Sequence, residues 1–239
     1  MITIDKVHWL VKFGLNKLDS SLFTDVLPNE IDEQLNKSQP SVIREMVAIK
    51  GVEFNRVITT DLAPIVIRSE QANPIYLTNS TEIRLYSPYL KNDCLQFIRG
   101  EVDATKNGCK KTIPIIDREY DDNTYLKSSK QQKTSFIWNR VIGYFGKTTE
   151  GGKDGTSLFL DNDDFIIDLA YISYIKYPRK VSLGGYLDID GSTTVTSEFE
   201  FNTQMIYKII DHTIFEIASN LQYPDAKSKF EISQLTNLN

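Results

Sequence analysis

The sequence predicts an α+β fold: helices near its two ends pack together, and a large β-rich insertion, sandwich- or barrel-like, lies between them. Three observations predict it. Apolar residues recur at helical spacing from Val7 to Leu18 and again from Ile206 to Leu221. From about residue 56 to 199 the apolar period shortens to two, in short runs set off by turn residues. A chain of 239 residues, 41% hydrophobic and 25% charged, has the makings of one soluble domain, or of one domain carrying an insertion.

Taken in order, the first helix has Thr3 as a candidate cap and Val7, Leu10, Val11, Leu15 and Leu18 on one face. Trp9 and Phe13 lie off that stripe, so this helix is either buried on two sides or offers aromatics to a partner. A second helix starts near Pro28, which suits a first helical turn, and carries Ile31, Leu35, Val42 and Met46. Pro40 should kink or split it, and Gly51 is its expected stop.

Candidate strands follow at 63–68, 74–77, 82–86, 94–102, 111–116, 136–145, 157–161 and 164–177, the second and third joined by the turn 78–81. Residues 117–135 are polar and weakly patterned, and read as a long excursion ordered by neighbours. Asn202 is placed to cap the closing helix, whose stripe is Ile206, Ile209, Ile210, Thr213, Ile214, Ile217 and Leu221, ahead of Pro224. The expected organisation is a helical core of 1–55 and 200–225, a β-rich domain of 56–199, and a polar tail of 226–239.

Several functions find no support in the residues. Gly146-Lys147-Thr148 invites a phosphate-loop reading, but that motif needs a glycine at 141, where Val141 stands. Glycines 151, 152 and 155 could not open the required helix, so the stretch reads as a hairpin turn. Only His8 and His212 could serve acid–base work near neutrality; both read as surface or interface residues. No nucleophile elbow and no paired-histidine zinc motif occurs.

The acidic stretch 188–200 begins like a calcium loop with Asp188 and Asp190. It then has Thr193 where glycine is needed and Phe199 where the bidentate glutamate belongs, so a turn is the better reading. Residues 161–164, Asp-Asn-Asp-Asp, likewise read as a solvated turn rather than a cation site. The expectation is therefore no enzyme, no cofactor and no metal.

A net charge of −5 and a pI near 5.2 disfavour general affinity for nucleic acid. Lys127, Lys130 and Lys133, with Arg140 beyond, still leave a local contact with DNA or an acidic protein surface open. The longest apolar run, Phe165 to Ile175, is too short for a membrane span and contains Asp168. The N-terminus has no signal-peptide pattern. Cys94 and Cys109 flank a turn near Lys106–Gly108 that keeps them apart, so two reduced thiols and synthesis in a cytoplasm are expected.

One segment carries more. Residues 169–181, with Tyr174-Ile175-Lys176-Tyr177-Pro178-Arg179-Lys180 inside them, end an apolar strand pattern, and a polar stretch then leads into the closing helix. This block, with that helix and residues 31–47, resembles head–tail connector and tail-adaptor proteins of short-tailed phages, including the crAss-like group. The resemblance implies a structural virion protein at the head–tail junction, made in the bacterial host. It implies many copies, commonly twelve, in a ring that docks on a portal protein or a preceding ring, offers a platform to tail proteins and lines the DNA exit channel.

Twelve copies would carry about −60 in formal charge, a wall that repels passing DNA rather than gripping it by sequence. The residues expected at subunit contacts are Trp9, Phe13, Lys127, Lys130, Lys133, Tyr177, Arg179 and Lys180. Two rivals stand beside this reading. One is a β-sandwich module of a phage tail that binds a glycan or receptor through exposed aromatics such as Trp138. The other is a metal-assisted hydrolase using the carboxylates of 161–164 or 188–200.

Overall fold

The computed structural model describes residues 2–18, 26–48, 52–76, 82–86, 94–118, 133–150, 153–161, 165–187 and 191–220. Among these residues it is a mixed α/β protein with four helices and a closed seven-stranded β-barrel. The chain divides into two compact units. A helical unit is built from 1–65 and 178–239, and a barrel unit from 66–177 is inserted between them in sequence. A β-rich insertion is thus present, as a barrel rather than a sandwich. It is shorter at both ends than the 56–199 read from the periodicity.

In the helical unit, α1 (Ile4–Leu18) buries Ile4, Val7, Val11 and Leu15 along one face. The Ile4 N–H at its start donates to Glu198 Oε2 at 2.8 Å, and the Thr3 carbonyl accepts from Val7 N–H. Helix α2 (Pro28–Val47) begins at its proline, and its preceding Leu27 N–H donates to Glu30 Oε2. It buries Ile31, Leu35, Val42 and Met46 as expected.

The expected split at Pro40 does not occur: α2 runs through it as one element. A proline removes one backbone bond, and the bonds on either side, with apolar burial before and after it, hold the helix together. A third helix, α3 (Val52–Thr60), occupies residues where a strand period was expected to begin. The reason lies in the spacing of Val57, Ile58, Asp61, Leu62 and Ile65, all buried, which continues a helical stripe into the 3-10 turn Ala63–Ile65. Helix α4 (Thr203–Asn220) is capped as expected, with Met205 N–H donating to Asn202 Oδ1 at 2.8 Å.

The barrel strands are β1 (Val66–Tyr76), β2 (Glu82–Tyr86), β3 (Cys94–Lys106), β4 (Cys109–Asp117), β5 (Val141–Glu150), β6 (Lys153–Asp161) and β7 (Ile166–Lys176). They close in the order β1-β2-β6-β5-β4-β3-β7, antiparallel except for β4 beside β5. Inside lie Leu85, Val102, Ile113, Leu158, Leu160 and Ile172, each worth about 1.5–3 kcal/mol on burial.

Two expected strands, 63–68 and 74–77, are one. A bulge between Ile67 and Glu70, with Ser69 at φ 52°, bends β1 without ending it. The Ser69 N–H finds the Ser173 hydroxyl at 3.0 Å instead of the ladder. The expected strand 136–145 is half wrong. Residues 136–139 are a turn closed by Ser135 and Arg140 and completed by Asn139 at φ 49°, and β5 starts only at Val141.

The glycine-rich stretch folds as a hairpin. Glu150 of β5 pairs with Lys153 of β6, and Gly146-Lys147-Thr148 lies within β5, not in a loop ahead of a helix. Asn107 (φ 49°) and Gly108 (φ 79°) make the two-residue turn from β3 to β4, so Cys109 faces Lys106. Cys94 faces Lys176 at the other end of β3, on the order of 40 Å along the strand from that turn. Residues 119–132 of the expected excursion lie outside the described residues, as do the turn 78–81, residues 162–164 and 188–190, and the tail 226–239.

Candidate assembly interface

The helical unit is organised around α2. Three of its polar side chains, Asp32, Asn36 and Gln39, fall four and three residues apart on one helical face. They meet alternate residues of the chain leaving β7. Gln39 Nε2 donates to the Arg179 carbonyl at 3.4 Å. Asn36 Nδ2 donates to the Val181 carbonyl at 2.9 Å, and Asn36 Oδ1 accepts from the Val181 N–H at 2.8 Å. Asp32 Oδ2 accepts from the Leu183 N–H at 2.8 Å.

The match is geometric. Seven helical residues advance about 10 Å, and four extended residues about 13 Å, so one stripe can read every second residue of an extended chain.

Asp32 does more than hold Leu183. Its carboxylate also accepts from the Tyr186 hydroxyl and from His8 Nε2, the latter at 2.7 Å. His8 and Asp32 are both buried, so His8 is a core residue joining α1 to α2, where a surface or interface residue was expected. Because a carboxylate only accepts, Nε2 carries the proton. His8 Nδ1 is buried without a partner among the described residues. His212 is half-buried on α4, with Nδ1 3.2 Å from Ser38 Oγ and Nε2 3.8 Å from Glu45. Beside it burial raises the Asp211 carboxyl above its ordinary value.

After Val181 the chain folds back on itself. Ser182 bridges Ser197 and Leu187 bridges Thr193, with Gly191 at φ 79°. Residues 182–187 and 191–197 therefore run as the two arms of an irregular hairpin, where a single turn between strand and helix was expected. Leu187 and Val195 are exposed on it, the latter 79% accessible.

The expected contact residues fall in separate places. Trp9 (58% exposed) and Phe13 (44%) stack on the outer face of α1, ring centroids 5.0 Å apart and planes 10° off parallel. The choice left open by the sequence is resolved: α1 is buried on one side and presents aromatics on the other. Arg179 is pinned to Glu200 through its N–H (3.2 Å) and its guanidinium (3.5 Å). Lys180 is exposed, and its carbonyl accepts from the Ser197 hydroxyl at 2.8 Å. Tyr177 is exposed at the end of the barrel unit. Lys133 is half-buried, and Lys127 and Lys130 lie outside the described residues.

Sequence reasoning missed Asp32, Asn36 and Gln39, whose signal was polar positions interleaved at helical spacing with an apolar stripe. It also missed Ile137, 75% exposed beside Trp138 on the barrel's Ser135–Arg140 turn. That turn is braced by Lys111, whose Nζ donates to Asn139 Oδ1 at 2.6 Å and sits 4.2 Å from the Phe136 ring centre.

Among the described residues no group of three or more His, Cys, Asp or Glu is placed to hold a metal ion. No helix among them is long and apolar enough to cross a membrane. The Cys94 thiol is pushed up to about 11 by burial and by Asp117 nearby, which suppresses its thiolate. No protein-family model matches the chain, and no curated protein sequence matches it.

Proposed function

We propose that the chain is a structural subunit of a phage head–tail connector, many copies forming a ring between portal and tail around the DNA exit channel. One observation carries this reading. Two of the blocks that resemble connector proteins, 31–47 and 169–181, are far apart in sequence, yet Asn36 and Gln39 of the first grip Val181 and Arg179 of the second. A chance likeness of two separate segments gives no reason for them to bind each other.

The finer architecture of the proposal has the two terminal helices packed as one core. A close approach supports it: a Cβ on Gly14 of α1 would clash with Ile214 Cδ1 of α4. The stacked Trp9–Phe13 pair is then the first candidate for a subunit contact, since an exposed aromatic pair gains most by finding cover. The reading needs no catalysis and no cofactor. Its partners are further copies of itself, the portal or a preceding ring, tail proteins and passing DNA.

A second reading, a tail module that binds a glycan or receptor, is favoured by Trp138, 69% exposed on its braced turn. Negative-stain imaging of the purified chain mixed with the portal protein of the same genome separates the two. Closed rings seated on the portal support the connector. Bare portal beside free monomers would sink it and bring the binding module forward.

A further inference from the structure

One carboxylate of the helical unit is half out of water without a counter-charge. Asp211 of α4 is part-buried, burial raises its carboxyl, and its side chain makes no hydrogen bond or ion pair among the described residues. Tyr207, Asp211 and Ile214 recur at offsets of four and three residues, so they share one stripe of α4. On the terminal-helix packing proposed above, Ile214 meets Gly14 of α1, whose neighbour Phe13 stacks on Trp9. Tyr207, 43% exposed, then joins Trp9 and Phe13 on one aromatic outer surface, and Asp211 is the acid set beside them. Removing a carboxylate from water is unfavourable, and a cation brought by a partner offsets that cost.

The complement to this surface lies elsewhere on the same unit. The two arms of the hairpin after β7 are joined where Ser182 and Ser197 exchange backbone bonds of 3.2 and 2.9 Å. Around that bridge the Ser197 hydroxyl donates to the Lys180 carbonyl, and the Ser182 hydroxyl to the Val195 carbonyl. Lys180 and Val195 are both exposed, so one braced patch offers a cation and an apolar side chain together. Arg179 beside them is already engaged by Glu200, whereas the Lys180 ammonium has no ion pair among the described residues.

We propose that this patch of one copy docks on the α1–α4 surface of a second copy, Lys180 against Asp211 and Val195 against the stacked Trp9–Phe13 pair. Charge sets the match, a cation meeting an acid that lacks one, and the apolar contact covers the aromatics. The proposal rests on the ring reading and says which face of one subunit meets which face of the next. The two faces are different surfaces of the chain, so each copy gives one and receives one. Such a head-to-tail contact closes into a ring, or runs on as a filament where the rotation does not close.

Charge reversal tests it, read by sedimentation velocity of the full chain at high concentration and by ring formation on the portal. Asp211→Lys alone and Lys180→Asp alone each set like charges together, and self-association should fall by about tenfold or more in each. Both changes in one chain restore the attraction and should restore association. An equimolar mixture of the two single variants should do the same, which a folding defect would not. A second arm treats mixed isotope-labelled and unlabelled natural chains with a carbodiimide, which joins an amine to a touching carboxylate. A Lys180–Asp211 cross-link between labelled and unlabelled chains is expected in the mass spectrum. Single variants that associate like the natural chain, a double variant as weak as the single ones, or the absence of that cross-link overturns the proposal. Should the single variants still form rings on the portal, this contact fails while the connector stands. Should the cross-link and the rescue both occur although no ring forms on the portal, the connector fails and this contact stands.

Discussion

His8 Nε2 lies 2.7 Å from Asp32 Oδ1, and both side chains are buried. Through that bond α1 is tied to the same carboxylate that holds the Leu183 N–H and the Tyr186 hydroxyl. One side chain thus joins two helices and the base of the 182–197 hairpin. Asp32→Ala removes the acceptor shared by three donors, one of them buried and two part-buried, and should cost about 3 kcal/mol in urea unfolding. Tyr186→Phe removes one donor and should cost about 1 kcal/mol. Hydrogen exchange at Leu183 should rise in both, because it reads the hairpin's anchor directly.

Trp9 and Phe13 should behave in the opposite way. They are exposed, so replacing either by alanine should change monomer stability by less than about 1 kcal/mol. Assembly on the portal should weaken sharply in both variants. A variant that assembles like the natural chain would remove this pair from the interface.

The Asn107-Gly108 turn tests the barrel. Gly108 has φ 79°, where any other residue is strained, and a Cβ there would meet nothing within 4 Å. Gly108→Ala should therefore cost about 1 kcal/mol through the backbone alone. A neutral result by thermal unfolding would mean that the turn is not of this type.

Asp211 gives a pH signature. Burial raises its carboxyl, so its protonated form suits the folded state. A raised carboxyl contributes stability that is fully present below the unfolded-state value and lost as pH rises through the folded-state value. Asp211→Asn should accordingly stabilise the protein near neutrality, with the gain shrinking as the pH falls to about 4. A gain that grows toward acid would contradict the assignment.

Much of this fold was legible because it is written locally. The stripes of α2 and α4, the Asn202 cap and the hairpin at Asn107-Gly108 each depend on residues within a few positions of one another. The misreadings came where a distant contact decides. Phe136 and Trp138 alternate like a strand, but Phe136 packs on Phe165 in the core, and Asn139 turns the chain. Ser69 bends β1 because Ser173, a hundred residues on, accepts its N–H. His8 reads as an ordinary helical histidine until Asp32, on another helix, accounts for it. The polar stripe Asp32, Asn36 and Gln39 was visible as spacing, but nothing local said that residues 179–183 would lie along it.

The central claim is that the chain assembles as a ring on a portal. Mass photometry of the purified protein, alone and mixed with the portal protein from the same genome, tests it most directly. The expected result is a ring of several 27.4 kDa copies, commonly twelve, either free or as the added mass on the portal. Monomers in both samples, with the portal unchanged in mass, would contradict it.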